Sequence, residues 1–175
     1  MKRPGLTIAA LALLLAPAAV LAHGKATGIV MERMTLMVVL RDAMKTLKGE
    51  LAGGGAYDAG VVVRAAGTVR AHGGEAMTRL FPAGSTEYSE ALPSVWTEPE
   101  GFARLAEELA AKAGAMHIAA QTRRMDAAPA QALTMGGTPA PLDPAALATL
   151  HPAEAFAAVS ATCSACHADY RMKTQ

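Results

Sequence analysis

Two cysteines and a histidine near the C-terminus carry the clearest chemical signal in the sequence. Cys163, Cys166 and His167 form a C-x-x-C-H sequence, the attachment signal of c-type haem. Two thiols about one helical turn apart can each add to a vinyl group of the porphyrin, and the adjacent imidazole is then held under the iron. The motif therefore predicts one haem c per chain, with Cys163 and Cys166 as thioether positions and His167 as an axial iron ligand.

Three other roles for the cysteine pair fit the sequence less well. A redox dithiol of the thioredoxin type is expected beside a βαβ pattern, and the chain shows no strand pattern. A zinc site needs four ligands, and no second cluster of cysteine or histidine lies at a suitable spacing. A disulfide within one helical turn would constrain almost nothing. Covalent haem attachment is therefore the favoured interpretation.

The first 22 residues have the pattern of a secretory leader. Two basic residues precede an apolar stretch that ends in Val-Leu-Ala at 20–22, where a signal peptidase could cleave. The apolar core is shorter than the roughly 20 residues needed to span a bilayer, and Pro17 interrupts it. We predict that residues 1–22 are a cleaved signal peptide and that residues 23–175 form one exported, periplasmic domain without a membrane span.

The composition excludes several classes of protein. Of the 175 residues, 52% are hydrophobic and only 4% are aromatic, so the apolar mass is mainly alanine, leucine, valine and methionine, a mixture that favours helices. Lysine and arginine total 16 against 15 acidic residues, and a net charge of +1 offers no basic field for nucleic acid. No constellation of catalytic acid, base and nucleophile stands out. We expect a protein that is not an enzyme and binds no nucleic acid.

Apolar residues recur at steps of three and four over four long segments, as amphipathic helices require. The first covers residues 27–51 and the second residues 58–80. The third begins at a capping box at 97–100, and the fourth opens at 151–152. Residues 126–143 show little periodicity and are predicted to form a surface loop. The sequence thus predicts an all-α fold, an antiparallel up-down-up-down four-helix bundle.

The second axial ligand of a haem would decide between electron transfer and gas binding. Met37 lies four residues after Arg33, so both project from one side of the first helix. A charge on that apolar stripe is costly unless it is paired, and a haem propionate is the natural anion for Arg33. Met37 would then reach over the porphyrin as the sixth iron ligand. Met34, about 60° away around the helix, is the alternative ligand. Three further candidates are more typical of core or surface positions: Met44, His72 and His117.

The residues together resemble the class II cytochromes c, which include cytochrome c′ and the low-spin cytochrome c-556. The resemblance rests on a C-x-x-C-H motif that ends eight residues before the chain end, whereas most c-type cytochromes carry it near the N-terminus. Shorter matches are Arg33 in the first helix, residues 55–58 before the second, and Val95-Trp96 with Phe102 at the start of the third. The resemblance covers the predicted mature chain and implies the same helical bundle.

The resemblance is closest to the cytochrome c-556 type, because the spacing from Arg33 to Asp58 places Met37 where those proteins carry an axial methionine. It implies a His/Met-ligated haem, with Arg33 beside a propionate and Arg171 near the proximal side of His167. We expect a periplasmic cytochrome that exchanges single electrons with redox partner proteins. The alternative is a five-coordinate cytochrome c′ that binds nitric oxide or carbon monoxide in an apolar distal pocket. A homodimer is common in cytochrome c′ and is not required by this sequence.

Overall fold

The computed structural model describes residues 26–52, 56–122 and 143–173, and these ranges are mostly helical. Four long helices are joined by connections that contain three single-turn helices. In chain order the helices are α1 (Gly28–Leu51), α2 (Ala59–His72), α3 (Glu75–Thr78), α4 (Ser94–Thr97), α5 (Pro99–Thr122), α6 (Pro144–Leu147) and α7 (Pro152–Tyr170). Within the described ranges, extended backbone pairs only at an isolated antiparallel bridge between Ala91 and Arg171.

The long helices α1, α2, α5 and α7 pack as the predicted antiparallel four-helix bundle. Consecutive long helices lie side by side, and both α2 and α7 make extensive contacts with α5. The first and last helices, α1 and α7, contact each other at few points. Over the described residues the bundle is therefore least closely packed between α1 and α7.

The apolar stripes predicted from spacing face the core. On α1, buried leucines alternate with half-buried Met37 and Met44. On α5 the whole predicted stripe is buried, and it consists of Phe102, Leu105, Leu109, Ala113, Met116 and Ala120. Burial of these faces is the main source of stability for helices of this length.

The second helix is shorter than predicted. The sequence analysis extends it over residues 58–80, but α2 ends at His72 and α3 follows after Gly73 and Gly74. A β-carbon at Gly73 would lie 2.9 Å from the amide nitrogen of Ala110 on α5, and Gly74 adopts a φ of +56°. The chain leaves the helix here because the Gly73 backbone packs directly against α5, where a side chain would clash, and because Gly74 turns with a positive φ that favours glycine.

The helix that carries the cysteines begins at a capping box. The Ala153 N–H donates to Nδ1 of His151 at 3.2 Å, and the His151 N–H donates to the Glu154 carboxylate at 3.0 Å. Pro152 occupies the first turn, where a missing N–H is tolerated. The predicted start of the fourth long helix is confirmed.

Some predictions concern residues outside the described ranges. These are the signal peptide at 1–22 and nearly all of the surface loop at 126–143. None of the helices that are described combines the length and the apolar character that crossing a bilayer demands.

Candidate haem-binding site

The last two turns of α7 place two thiols and an imidazole on one side of the helix. Cys166 lies three residues after Cys163, and His167 lies four residues after Cys163. The three side chains therefore span about 100° around the helix axis. Both cysteines are free and half-buried, and both pack against the hydrophobic core. His167 is exposed. Two free thiols beside an available imidazole are the donor set that covalent haem attachment requires.

The surroundings of these three groups shift their ionisation. Burial raises the pKa of Cys163, and burial together with Cys163 and Asp169 raises the pKa of Cys166 to about 11. Both side chains are therefore neutral thiols at neutral pH, whereas a redox dithiol works through a thiolate of lowered pKa. Partial burial and the charge of Arg171 lower the pKa of His167. A lowered pKa keeps the imidazole neutral, as iron ligation requires.

Met37 lies on the core-facing side of α1. Its side chain is half-buried and packs against the same hydrophobic core as the two cysteines. Leu36 and Leu40 on either side of it are buried. Met37 and the cysteine pair thus belong to the two neighbouring long helices that are least closely packed. The assignment of Met37 as the sixth iron ligand stays a prediction, and its place on the inner face of α1 is compatible with it.

Arg33 is buried, with 5% of its surface exposed. All five N–H groups of its guanidinium donate to oxygens of the segment 80–89. Nε and Nη2 donate to the Leu80 carbonyl at 3.1 and 2.8 Å. Nη1 donates to the Ser85 carbonyl at 3.2 Å and to the Ser89 hydroxyl at 2.7 Å, and Nη2 donates to the Ser85 hydroxyl at 2.7 Å. These bonds compensate the burial that lowers the pKa of Arg33.

The predicted contact between Arg33 and a haem propionate therefore has competitors within the protein. A propionate oxygen could join the guanidinium only by replacing one of the four oxygens that accept these five hydrogen bonds. Burial of Arg33 follows from its position on the apolar stripe, as the sequence indicates. The propionate contact itself stays a prediction.

Two aromatic rings lie beside the Arg33 guanidinium, and further rings pack one against the next as far as the end of α7. The guanidinium carbon lies 4.0 Å from the centroid of the Phe81 ring and 5.7 Å from that of Trp96. Phe81 packs against Phe102 with 4.8 Å between centroids, and Phe102 packs against Tyr170 at 5.4 Å. A packed row of rings thus links α1 to the end of α7. Sequence reasoning missed this row, although the clustering of rings in a chain with 4% aromatic residues was a usable signal.

Arg171 begins the extended segment that follows α7. Its Nε and Nη2 donate to Oε2 of Glu90 at 3.1 and 3.0 Å. Both side chains are about half exposed, so this ion pair by itself contributes little to stability. The charge of Arg171 contributes to the lowered pKa of His167. A direct contact between Arg171 and haem stays a prediction.

Of the remaining candidate ligands, the two histidines lie on α2 and α5, and the two methionines lie on α1. Nδ1 of His72 is 2.8 Å from a backbone carbonyl of α2, and Nδ1 of His117 is 3.0 Å from another. Met34 and Met44 are half-buried on α1. In the part of the chain that the structure describes, no group of three or more His, Cys, Asp or Glu side chains could hold a metal ion.

A four-helix bundle with a C-terminal C-x-x-C-H motif defines a class II c-type cytochrome. Residues 28–138 match the family model described as Cytochrome C'. This range is more than half of the chain, and the protein belongs to the cytochrome c′ family. The match ends before Cys163, so the C-x-x-C-H motif supports the assignment independently. Family and motif together imply covalently bound haem c.

Solved structures share this fold. Cytochrome c′ from Thermochromatium tepidum is 25% identical with a TM-score of 0.61, over 83% of this chain and 95% of that one. A cytochrome c′ with an unusual ligand-controlled dimer dissociation is 22% identical with a TM-score of 0.60, over 83% and 95% of the two chains. The nitric oxide complex of a cytochrome c prime mutant from Alcaligenes xylosoxidans is 19% identical with a TM-score of 0.59, over 83% and 94%. These matches do not identify the cytochrome c-556 type. No curated protein matches the chain.

Proposed function

We propose that this protein binds a diatomic gas, nitric oxide or carbon monoxide, on the distal side of a covalently attached haem c. A haem held by Cys163, Cys166 and His167 would supply an iron atom that can bind the gas. Membership of the cytochrome c′ family supports this function over electron transfer. A nitric oxide complex of a structural relative supports it further.

The apolar inner face of α1 is the observation that carries this proposal. Leu36 and Leu40 are buried, and Met37 between them packs against the core. Arg33, the charged residue on this face, has all five donors bonded to the segment 80–89. The charge of Arg33 on this inner face is therefore already bonded within the protein, which suits a small neutral gas better than an anion.

On the proximal side, the residues of α7 attach and orient the cofactor. The free thiols of Cys163 and Cys166 would hold the haem as thioethers, each by addition of its S–H across a vinyl group. His167 would offer a neutral nitrogen to the iron. Tyr170, which is buried at the end of α7, fixes this end of the helix against α5.

Electron transfer is the second candidate function, and the position of Met37 favours it. A thioether on the inner face of α1 is a suitable sixth ligand, and His/Met ligation raises the reduction potential of haem iron. Two ligands on a helical scaffold would also limit rearrangement when the oxidation state changes. The protein would then pass single electrons to redox partner proteins. Neither function turns over a substrate, so we assign no enzymatic activity.

The proposal includes a periplasmic location, because the leader at 1–22 predicts export and c-type haem is attached in the exported compartment. N-terminal sequencing of periplasmic protein should begin at His23. The proposal also includes a homodimer, which the ligand-controlled dimer dissociation of a structural relative supports. Sedimentation velocity with and without carbon monoxide measures the oligomeric state.

Visible spectra of the ferric and ferrous protein, with and without carbon monoxide, separate the two functions. Gas binding predicts a high-spin ferric spectrum and rapid carbon monoxide binding by the ferrous wild type. Met37→Leu is the matched variant, because it preserves side-chain volume and removes the thioether. If the wild type shows a methionine-to-iron charge-transfer band and binds carbon monoxide rapidly only after Met37→Leu, the electron-carrier function is correct and the gas-binding proposal is wrong.

A further inference from the structure

The segment 80–94 connects the two helices that flank the proposed haem site. On one side it receives all five N–H groups of Arg33, which projects from α1 four residues before Met37. The acceptors are the carbonyls of Leu80 and Ser85 and the hydroxyls of Ser85 and Ser89. Because Arg33 is buried, each lost acceptor would leave part of a buried charge without a partner.

The other side of the segment is bonded to the end of α7. The Leu92 N–H donates to the Tyr170 carbonyl at 2.9 Å, and the Met172 N–H donates to the Glu90 carbonyl at 2.8 Å. The side chain of Arg171 adds an ion pair to the Glu90 carboxylate at 3.0 Å. The segment therefore holds the backbone immediately after the haem motif.

One hydroxyl joins the two sides. Oγ of Ser89 accepts a hydrogen bond from Nη1 of Arg33 at 2.7 Å and another from the Ala91 N–H at 3.1 Å. Ala91 is the residue that forms the antiparallel bridge with Arg171. Through Ser89, the guanidinium on α1 is thus linked to the strand pairing at the end of α7. Direct contacts between α1 and α7 are few, so this linkage is a major connection between them.

We propose that the segment 80–94 is a brace that sets the spacing between α1 and the haem-bearing end of α7. Arg33 is a positioning residue, which acts on the distal side of the haem through Ser89 and the brace. Loss of the Ser89 hydroxyl loosens α1 from α7 and allows Met37 to move away from the space over the iron. The inference rests on the proposed haem site between these two helices, and it applies to gas binding and to electron transfer alike.

Ser89→Ala tests the brace in the haem-loaded protein. Amide hydrogen exchange at Leu92 and Met172 should become about tenfold faster, because the variant removes a charge-assisted acceptor from the linkage. The association rate of carbon monoxide with the ferrous protein should rise by about the same factor. Ser89→Thr retains the hydroxyl and should show the wild-type amide exchange rates and the wild-type carbon monoxide association rate.

Two control variants separate positioning from general destabilisation. Thr86→Ala removes an exposed hydroxyl from the same segment and should change neither value. Val69→Ala creates a cavity at a buried position on α2 and lowers global stability without touching the brace. The carbon monoxide rate of Val69→Ala should remain that of the wild type.

The outcomes distinguish the brace from the haem site. Unchanged amide exchange in Ser89→Ala would overturn the brace, and faster exchange with an unchanged carbon monoxide rate would overturn the positioning role of Arg33. Faster exchange with an unchanged carbon monoxide rate is also the result expected if Arg33 acts only through a haem propionate. If the purified protein carries no covalent haem, the proposed function is wrong. The brace is not affected by that result, because amide exchange in Ser89→Ala still decides whether it exists.

Discussion

Tyr170 of α7 lies directly over Gly101 of α5, so closely that a β-carbon at position 101 would clash with the phenol oxygen. Tyr170 is buried three residues after His167, and its ring packs against Phe102. The haem-bearing end of α7 is therefore held against the first turn of α5 by a contact that requires glycine.

Gly101→Ala should lower the free energy of unfolding by about 1–3 kcal/mol, because the added methyl group forces Tyr170 out of its packed position. Urea denaturation measures the change. Gly49→Ala is the matched control, since Gly49 lies in α1 with no atom within 4 Å of the added carbon, and alanine should stabilise the helix by about 0.5–1 kcal/mol. Equal stability of Gly101→Ala and the wild type would contradict this packing of Tyr170.

Arg33→Met should destabilise the protein by about 2–4 kcal/mol. The change leaves the buried Leu80 carbonyl and the part-buried Ser89 hydroxyl without their donor, and it removes the cation that lies 4.0 Å from the Phe81 ring centroid. Thermal and denaturant unfolding give the value. Arg41→Met serves as control, because the Arg41–Asp42 ion pair is exposed and should be worth less than about 1 kcal/mol. Similar losses in both variants would show that the Arg33 bonds contribute no more than a surface pair.

Glu108 should make the free energy of unfolding fall as the pH becomes acidic. Burial alone would raise its pKa, but hydrogen bonds and charges from Lys112 and Arg104 outweigh that effect and hold the pKa below the ordinary value of 4.5. A lowered pKa contributes stability that is present above 4.5 and is lost as the pH falls through the folded value. Lys112 also donates to the Thr162 hydroxyl at 2.9 Å, so the pair lies next to the haem motif.

Glu108→Gln should therefore lose less stability than the wild type on acidification, although the two converge at low pH. Thermal unfolding at neutral pH and at about pH 3, below the ordinary glutamate pKa, measures the difference. The effect should be small, because 38% of the Glu108 side chain is exposed. Parallel pH profiles for the two proteins would contradict a lowered pKa at Glu108.

The four long helices could be predicted because each has an apolar stripe at helical spacing, and burial fixes which face turns inward. The end of α2 could not be predicted, because an isolated glycine is tolerated within a helix and the close approach of Ala110 to Gly73 is a tertiary contact. Two adjacent glycines at 73–74 were nevertheless a usable sign of a break.

The site was predictable to a similar degree. C-x-x-C-H identifies Cys163, Cys166 and His167 locally, because the chemistry needs all three within two turns of one helix. Arg33 interrupts an apolar stripe, so its need for partners was also evident from sequence. The identity of those partners was not, because Ser85 and Ser89 lie more than 50 residues away and reach Arg33 only in the folded chain.

Covalent attachment of one haem at Cys163 and Cys166 is tested most directly by acid–acetone extraction followed by intact-mass measurement. Protein purified from an exporting, haem-attaching host should stay red after extraction, with the mass of residues 23–175 plus one haem. A Cys163→Ser/Cys166→Ser double variant should lose its colour in the same treatment. Wild-type protein that becomes colourless and has the mass of the bare polypeptide would contradict the haem assignment.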